Sequence, residues 1–213
     1  MFDFVKRLFA RSASATSPAA RTLSANDATW LVVGLGNPGA KYAATRHNVG
    51  YMALDHLLAE NETHLEPVPG VKANVAVAGD VAYLRSTTYM NLSGEGVAPV
   101  ARLLGIEPDH IIVIHDELDL PPGQVRLKLG GNENGHNGLK SITEQVGTRD
   151  YIRVRVGIGR PTDRQPIPEW VLGVVESSPE LDEQIHLAAE ATQLITKEGL
   201  SKAQNQVHSR GRR

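Results

Sequence analysis

Four stretches of the sequence place histidine, aspartate and asparagine beside glycine, next to apolar segments: GNPGAKYAATRHN, TTYMNLSGEG, IIVIHDELDLPPG and KLGGNENGHNGLK. A histidine can take a proton from water near neutral pH, and a neighbouring carboxylate fixes its tautomer and stabilises the imidazolium that forms. Asparagine amides can donate to a developing oxyanion without carrying charge. The set therefore predicts attack of water on an activated ester, without a metal or a covalent nucleophile. Its members are His47, His115, His136, Asp116, Asn37, Asn48, Asn91 and Asn137.

A plainer interpretation of these residues stays open. A single loop histidine is usually solvated, a His-Asn pair often caps a turn, and Asp116, Glu117 and Asp119 fit a solvated acidic turn before two prolines. His56 and His186 fall in helical patterns and are interpreted as incidental. H-x-x-x-H and H-x-H metal spacings and a G-x-S-x-G nucleophile motif are absent, and the chain has 0 cysteines.

The segment LVVGLGNPG contains the spacing G-x-G-x-x-G at Gly34, Gly36 and Gly39. In a dinucleotide site the third glycine opens a helix at once, and an acid follows about 20 residues later at the end of a second strand. Here the helical pattern starts only near Val49, and the candidate acid Asp55 lies inside it. The sequence therefore disfavours a nucleotide site and predicts that these glycines let the backbone approach another ligand.

Strands and helices alternate along the part of the chain that must position these side chains. Strand patterns cover WLVVGLG, ANVAVAG, VAYLRST, HIIVIHDE, QVRLKLG and YIRVRVGIG, and helical patterns cover VGYMALDHLLAE, SGEGVAPVARLLG, GLKSITEQVG and SPELDEQIHLAAEATQLITKEG. Gly79-Asp80 predicts a hairpin, and Ser177 with Glu180 predicts a capping box. Since both hairpins and crossovers occur, we expect an α/β fold: a single domain with a twisted mixed β-sheet surrounded by α-helices.

Composition limits the class of protein and suggests its boundaries. The 213 residues are 41% hydrophobic and 22% charged with a net charge of −2, which fits one globular domain and gives no global basicity. No apolar run approaches the roughly 18 residues that a membrane span needs. We expect a flexible extension over residues 1–28, a domain over 29–208 and a basic tail over 209–213. The extension is interpreted as a disordered tail, a membrane-surface contact or an organelle transit segment.

Taken together, VVGLGNPGAKYAATRHNVGYMALD, TYMNLSGEGV, HDELDLPPGQVRLKLGG and GHNGLKSI resemble bacterial-type peptidyl-tRNA hydrolase, and the similarity runs from about Leu31 to His208. The resemblance implies a cofactor-free and metal-free enzyme that cleaves the ester between a peptide and the 3′-terminal ribose of tRNA. It would thereby recycle tRNA from abortive translation. A non-catalytic RNA-binding relative of the intron-splicing type is the alternative.

The resemblance also implies roles for individual residues. His47 would be the base that activates water, Asp116 the carboxylate that keeps it basic, and Asn37 a group that recognises a blocked α-amino group. Asn137 would hold the substrate carbonyl or the attacking water. Residues implied to contact the peptide or the tRNA are Tyr42, Tyr89, Met90, Asn91, Asn137, Lys128, His136 and Arg155. Among these, Lys128 and Arg155 would clamp a tRNA phosphate.

The partners implied are peptidyl-tRNA, through its acceptor end and attached peptide, and no obligate protein. We expect a cytoplasmic monomer without a membrane span, or an organellar one if the extension is a transit peptide. The chain departs from the family in GGNENG, where a run of glycines is usual. Asn134 tolerates positive φ, but Glu133 adds a negative charge that puts the mobility of this loop and its affinity for tRNA in question.

Overall fold

A seven-stranded mixed sheet organises the computed structural model, which describes residues 22–162 and 164–210. Its strands are β1 (Trp30–Gly34), β2 (Glu66–Pro67), β3 (Ala73–Ala78), β4 (Val81–Ser86), β5 (Ile111–Glu117), β6 (Val125–Leu129) and β7 (Ile152–Gly157). They lie in the order β2-β3-β4-β1-β5-β7-β6. The central neighbours β4, β1, β5 and β7 run parallel, while β2 and β3 at one edge and β6 at the other add antiparallel pairings. The predicted α/β fold with a mixed sheet is confirmed.

Helices cover both faces of the sheet. In the described residues they are α1 (Val49–Glu60), α2 (Gly94–Leu104), α3 (Asn137–Val146), α4 (Ile167–Leu172), α5 (Pro179–Glu198) and α6 (Leu200–Arg210). The core on one face joins α1, α5 and α6 to alternate strand residues such as Val32 and Ile114. The core on the other face joins α2 and α3 to the intervening residues, such as Val33 and Val113. This alternation follows from the two-residue period of a strand buried on both sides.

The glycines of the first loop serve packing between the sheet and α1. A Cβ atom on Gly34 would lie 2.6 Å from the carbonyl oxygen of Gly50, and one on Gly36 would lie 2.6 Å from the ring of Tyr51. Gly50 is equally confined, since its Cβ would lie 2.6 Å from the Leu35 carbonyl oxygen. The expectation that Gly34 and Gly36 make room for a ligand is therefore wrong, because α1 occupies that space. Gly39, by contrast, is open and has a φ of 104°.

Several local features differ from the sequence predictions. The cap of α5 is Ser178, whose Oγ accepts a hydrogen bond from the Leu181 amide at 3.2 Å, so the capping box assigned to Ser177 is one residue out of place. Helices α4 and α6 were not anticipated. Leu23 and Ala28 are buried in the core, so the last residues of the predicted extension pack on the domain. Residues 1–21 and 211–213 lie outside the described residues.

None of the helices in the described ranges is long and apolar enough to cross a lipid bilayer.

Candidate active site

The polar stretches converge on a cleft of about 540 Å³ at the carboxyl ends of β1 and β5. Binding sites of open α/β sheets commonly lie at such strand ends. Single turns of 3-10 helix bring two stretches there, Arg46–Asn48 directly before α1 and Met90–Leu92 shortly before α2. The cleft is lined by Asn37, His47, Met90, Asn91, His115, Asp116, Glu117, Asn134, His136 and Asn137, together with apolar residues of α4.

His47 and Asp116 form the central contact of the cleft, as the sequence analysis expected. The Nδ1 atom of His47 lies 2.9 Å from Asp116 Oδ1 and 3.0 Å from Asp116 Oδ2. Since an ionised carboxylate only accepts hydrogen bonds, the proton of His47 lies on Nδ1. Its Nε2 atom has no partner among the described residues and is left with a lone pair. The side chain of His47 is 12% exposed and that of Asp116 is 2% exposed, so the pair is shielded from bulk water but reachable from the cleft.

His136, which the resemblance gave only as a contact to the peptide or the tRNA, is a second donor to the same carboxylate. Its Nε2 atom lies 2.9 Å from Asp116 Oδ1. The Nδ1 atom accepts hydrogen bonds from the amides of Gly138 at 3.1 Å and Leu139 at 3.4 Å, which makes His136 the N-cap of α3. An Nδ1 that accepts two N–H groups carries no proton in the neutral ring. The helix end therefore fixes His136 as the Nε2–H tautomer, which donates to Asp116.

The electrostatics of the cleft keep Asp116 charged and His115 neutral. Burial favours the protonated form of Asp116, but attraction to His136 and His47 and their hydrogen bonds hold its pKa well below the ordinary value. Burial and the nearby His136 lower the pKa of His115 to about 3. The Nδ1 atom of His115 donates to the Asp116 carbonyl oxygen at 2.7 Å, and its ring packs edge-on against His136 with centroids 5.2 Å apart. His115 is therefore a neutral support behind the pair.

A network of asparagines orders the opposite wall. The amide of Asn37 donates to Asn48 Oδ1 at 2.9 Å, and Asn48 Nδ2 donates to the Asn37 carbonyl oxygen at 3.0 Å. Asn37 Oδ1 accepts the Met90 amide at 2.9 Å. With its oxygen so engaged, Asn37 offers its Nδ2 group, which has no partner in the described residues, to a ligand. Asn91 and Asn137 are exposed and line the same cleft.

Helix α4 supplies an apolar wall that the sequence analysis missed. Ile167 and Leu172 line the cleft and are 36% and 42% exposed. The helix is tied to the turn that carries His47 by Arg46, whose amide donates to the Gly173 carbonyl oxygen at 3.0 Å and whose guanidinium lies 3.8 Å from the centre of the Trp170 ring. The apolar run IPEWVL after Pro166 was the signal, but its six residues are too few for a reliable helical period.

Four of the residues implied to contact tRNA do not line the cleft: Tyr42, Tyr89, Lys128 and Arg155. Tyr42 and Tyr89 pack edge to face with centroids 6.4 Å apart, and Tyr89 is 55% exposed. Lys128 and Arg155 lie on the same face of the β6–β7 pair, because Lys128 is two residues from Arg126 on β6 and Arg126 is in register with Arg155 on β7.

Arg155 is the less available of the two cations implied to bind phosphate. Its Nε atom donates to Glu117 Oε2 at 2.9 Å and its side chain is 21% exposed, whereas Lys128 is exposed.

The interpretation of Asp116 and Glu117 as a solvated acidic turn is wrong, because both are buried and paired.

The negative charge of Glu133 in the unusual GGNENG loop is balanced by a cation of the same chain, Arg149. Its carboxylate accepts Arg149 Nε at 2.7 Å and the Thr143 hydroxyl at 2.9 Å. The hydrogen bond from Arg149 lowers the pKa of Glu133 to about 2. Arg153, buried below the loop, donates to the carbonyl oxygens of Gly131 at 2.6 Å and Asn132 at 2.5 Å. The loop is therefore tied to the α3–β7 connection and to β7, and its charge is paired.

His47, Asp116 and His136 offer ligand atoms within 4.8 Å of one another, close enough to hold a metal ion in principle. In the described geometry, however, the carboxylate accepts both imidazole N–H groups, and this hydrogen-bonding scheme needs no ion. The arrangement can deprotonate a water at His47 and offer amide donors to an oxyanion.

Comparison with known proteins agrees with this geometry. Residues 31–213 match the family model described as peptidyl-tRNA hydrolase. The chain is 60% identical over 185 residues to peptidyl-tRNA hydrolase 2 of Corynebacterium glutamicum, covering 86% of this chain and 89% of that protein. It is 46% identical over 197 residues to peptidyl-tRNA hydrolase of Cutibacterium acnes, covering 85% and 98% of the two chains. The crystal structure of peptidyl-tRNA hydrolase from Acinetobacter baumannii is similar, with a TM-score of 0.77, 35% identity and coverage of 87% and 97%.

Proposed function

Because the chain belongs to the peptidyl-tRNA hydrolase family, we propose that it hydrolyses the ester between a peptide and the 3′-terminal ribose of tRNA, with water activated by His47. The observation that carries this mechanism is the 2.9 Å contact of His47 Nδ1 with Asp116, which leaves Nε2 as a free base facing the cleft. A protein that only bound RNA would not need this pair.

The first step is attack of water on the ester carbonyl. His47 Nε2 takes one proton from the water while the oxygen forms a bond to the carbonyl carbon. The imidazolium that results is stabilised by Asp116, whose low pKa keeps it ionised and whose position fixes the ring. The carbonyl oxygen becomes an oxyanion, which needs donors that are already in place.

Three carboxamides are available to hold that oxyanion or the attacking water. Asn37 is the best oriented, since its Oδ1 is held by the Met90 amide and its Nδ2 is left for the substrate. Asn91 and Asn137 line the same cleft. Removal of one pre-oriented donor typically costs about 10²–10³ in kcat.

The second step is collapse of the tetrahedral intermediate. The bond between the former carbonyl carbon and the ribose 3′ oxygen breaks, and the leaving oxygen takes the proton from the His47 imidazolium. The first products are a peptide with a new carboxylic acid, which keeps the second proton of the water, and a tRNA with a free 3′ hydroxyl. The acid then releases that proton to solvent to give the carboxylate, so atoms and charge balance without a covalent enzyme intermediate.

The surroundings of the cleft suit the two halves of the substrate. The apolar wall of α4 and the buried Met90 fit a peptide, and recognition of a blocked α-amino group is the role proposed for Asn37. The exposed ring of Tyr89 and its neighbour Tyr42 suit stacking with an unpaired acceptor end.

Lys128 and Arg155 suit a tRNA phosphate, since phosphate contacts carry no base identity. An enzyme that serves many tRNAs would use such a feature. His136 acts indirectly, through Asp116. We further propose that the enzyme works as a cytoplasmic monomer without metal, so a chelator should leave turnover unchanged.

The test is release of peptide from an N-acetyl-aminoacyl-tRNA by the wild type and by His47→Ala. We expect turnover in the wild type and its loss in the variant, with unchanged tRNA binding and an unchanged circular dichroism spectrum. Tight tRNA binding without turnover in the wild type would favour the non-catalytic RNA-binding relative. Undiminished turnover in a folded His47→Ala protein would exclude the proposed base.

A further inference from the structure

A second cluster of potential metal ligands lies on the opposite end of α1 from the cleft. His56 and Glu60 are one helical turn apart on α1, and His186 faces them from α5. His56 Nε2 lies 3.2 Å from Glu60 Oε1 and 3.0 Å from His186 Nδ1. All three ligand atoms lie within 4.8 Å of one another. From the sequence, His56 and His186 were interpreted as incidental because both fall in helical patterns; the packing of α5 beside α1 brings them together.

These separations match the coordination shell of a small transition-metal ion. Zinc binds imidazole nitrogen and carboxylate oxygen at roughly 2.0–2.2 Å, so two ligand atoms on a tetrahedron are about 3.3 Å apart. The observed 3.0 and 3.2 Å from His56 lie within a few tenths of an ångström of this value, and the third pair, Glu60 Oε1 and His186 Nδ1, lies within 4.8 Å and would draw together on binding. We propose that His56, Glu60 and His186 bind a divalent transition-metal ion of the zinc class, with water in the remaining position.

The surroundings of the cluster support this assignment. Glu60 Oε2 accepts a hydrogen bond from Gln193 Nε2 at 2.9 Å, which turns Oε1 towards the histidines. Such outer contacts orient metal-ligating carboxylates. Two neutral imidazoles and one carboxylate carry a net negative charge, which favours a dication. The side chains of His56 and Glu60 are 32% and 36% exposed, so an ion can enter from solvent.

Occupancy of this site would join α1 to α5 at the surface. An ion that binds the folded chain and not the unfolded one raises the melting temperature by mass action. The cluster lies more than two helical turns beyond His47 along the chain, so the ion would act on stability and would not be a reactant in the cleft.

The test is calorimetric titration of the full-length protein with Zn²⁺, together with the visible absorption of bound Co²⁺ and melting curves with and without Zn²⁺. Each measurement is made on the wild type and on His47→Ala, which removes a ligand from the other possible cluster in the cleft. We expect His47→Ala to retain a Zn²⁺ equivalent, the absorption of distorted tetrahedral Co²⁺ and a rise in melting temperature with Zn²⁺.

Ligand variants in the His47→Ala background identify the site. Loss of an outer contact costs about 10–100-fold in metal affinity, so His186→Ala, which removes a ligand, should weaken Zn²⁺ binding at least about 100-fold. Glu60→Gln is a second variant should the first fail to fold. His64→Ala is the matched control, because His64 is 81% exposed and outside the cluster. Absence of Zn²⁺ binding in His47→Ala, or equal affinity in folded His186→Ala and His64→Ala, would overturn the proposal.

Discussion

Replacement of Asp116 by asparagine should invert the tautomer of His47. In the wild type both His47 and His136 donate to the carboxylate. The cap of α3 fixes His136 as an Nε2–H donor, since the Gly138 amide occupies its Nδ1. In Asp116→Asn the new carboxamide oxygen must therefore face His136. Its NH₂ group then takes the place of Oδ2, 3.0 Å from His47 Nδ1 in the wild type, and this N–H opposes a proton on that nitrogen. The oxygen at the Oδ1 position, 2.9 Å from the same nitrogen, is already engaged by His136, so the tautomer in which Nδ1 accepts is favoured.

The cost of this inversion can be estimated from the chemistry. With Nδ1 as acceptor, the proton of His47 lies on Nε2, which then has no lone pair for water. In a Ser-His-Asp protease, the same substitution of the orienting carboxylate lowers kcat about 10⁴-fold while the geometry is retained. We expect a loss of about 10³–10⁴-fold here, which corresponds to roughly 4–5.5 kcal/mol in the barrier.

The assay is kcat/KM for an N-acetyl-aminoacyl-tRNA, measured for Asp116→Asn, His136→Ala and the double variant, with melting curves as the control for folding. Without His136 the carboxamide is free to rotate and present its oxygen to His47. The Asp116→Asn loss should therefore be at least about tenfold smaller in the His136→Ala background, a coupling that independent sites do not produce. Additive losses, or a loss below tenfold in folded Asp116→Asn, would refute the tautomer argument.

Other consequences concern the periphery of the site. Lys128→Ala and Arg155→Ala should raise KM for tRNA substrates far more than for short model esters, with the exposed Lys202→Ala as control; equal losses on both substrate classes would contradict phosphate binding. The pKa of Glu133 is lowered from 4.5 to about 2 in the folded state, so its ionised form stabilises the fold above pH 4.5, and this contribution is lost as the pH falls through about 2. Glu133→Gln should therefore lower the free energy of unfolding at pH 7 by about 2 kcal/mol, after allowance for solvent screening at the exposed Arg149. The variant's free energy of unfolding should also depend less on pH in the acid range, which urea titrations at several pH values would measure. Arg46→Ala should release α4 and raise KM for long peptidyl groups more than for acetyl-aminoacyl ones; an unchanged ratio in steady-state assays would mean that the α4 wall does not need this residue.

Elements with strong local signals were predictable from the sequence. Helix α1 occupies Val49–Glu60, the range predicted from its apolar period, and the Gly79-Asp80 hairpin joins β3 to β4. Helix α6 was missed because it is mostly polar and depends on tertiary contacts. His208 Nε2 accepts a hydrogen bond from the Leu127 amide and Gln204 Nε2 donates to the Leu127 carbonyl oxygen, both at 3.0 Å. Helix α6 therefore satisfies the backbone hydrogen-bonding groups of Leu127 on the edge strand β6. Such contacts leave no periodic pattern in the chain.

The contact at the centre of the site could be predicted from the sequence, whereas the ion pairs around it could not. Asp116 lies near the end of an apolar strand, and the resemblance joined it to His47, so their contact could be expected. The pairs Glu117–Arg155 and Glu133–Arg149 depend on the sheet order and on the path of a loop. No spacing rule encodes either of them. The charge of Glu133 therefore seemed a threat to RNA binding, whereas its partner was already present in the fold.

Because α1 packs closely on the sheet, the side chain allowed at position 50 affects where His47 lies in the cleft. A methyl group there would press on the Leu35 carbonyl oxygen and lift the first turn of the helix, which continues directly into the turn bearing His47. Misplacement by about 1 Å can cost 10²-fold in rate. Substitution of Gly50 would thus lower turnover although this residue does not contact the substrate. A mutational screen scored by activity alone would assign Gly50 to the binding surface.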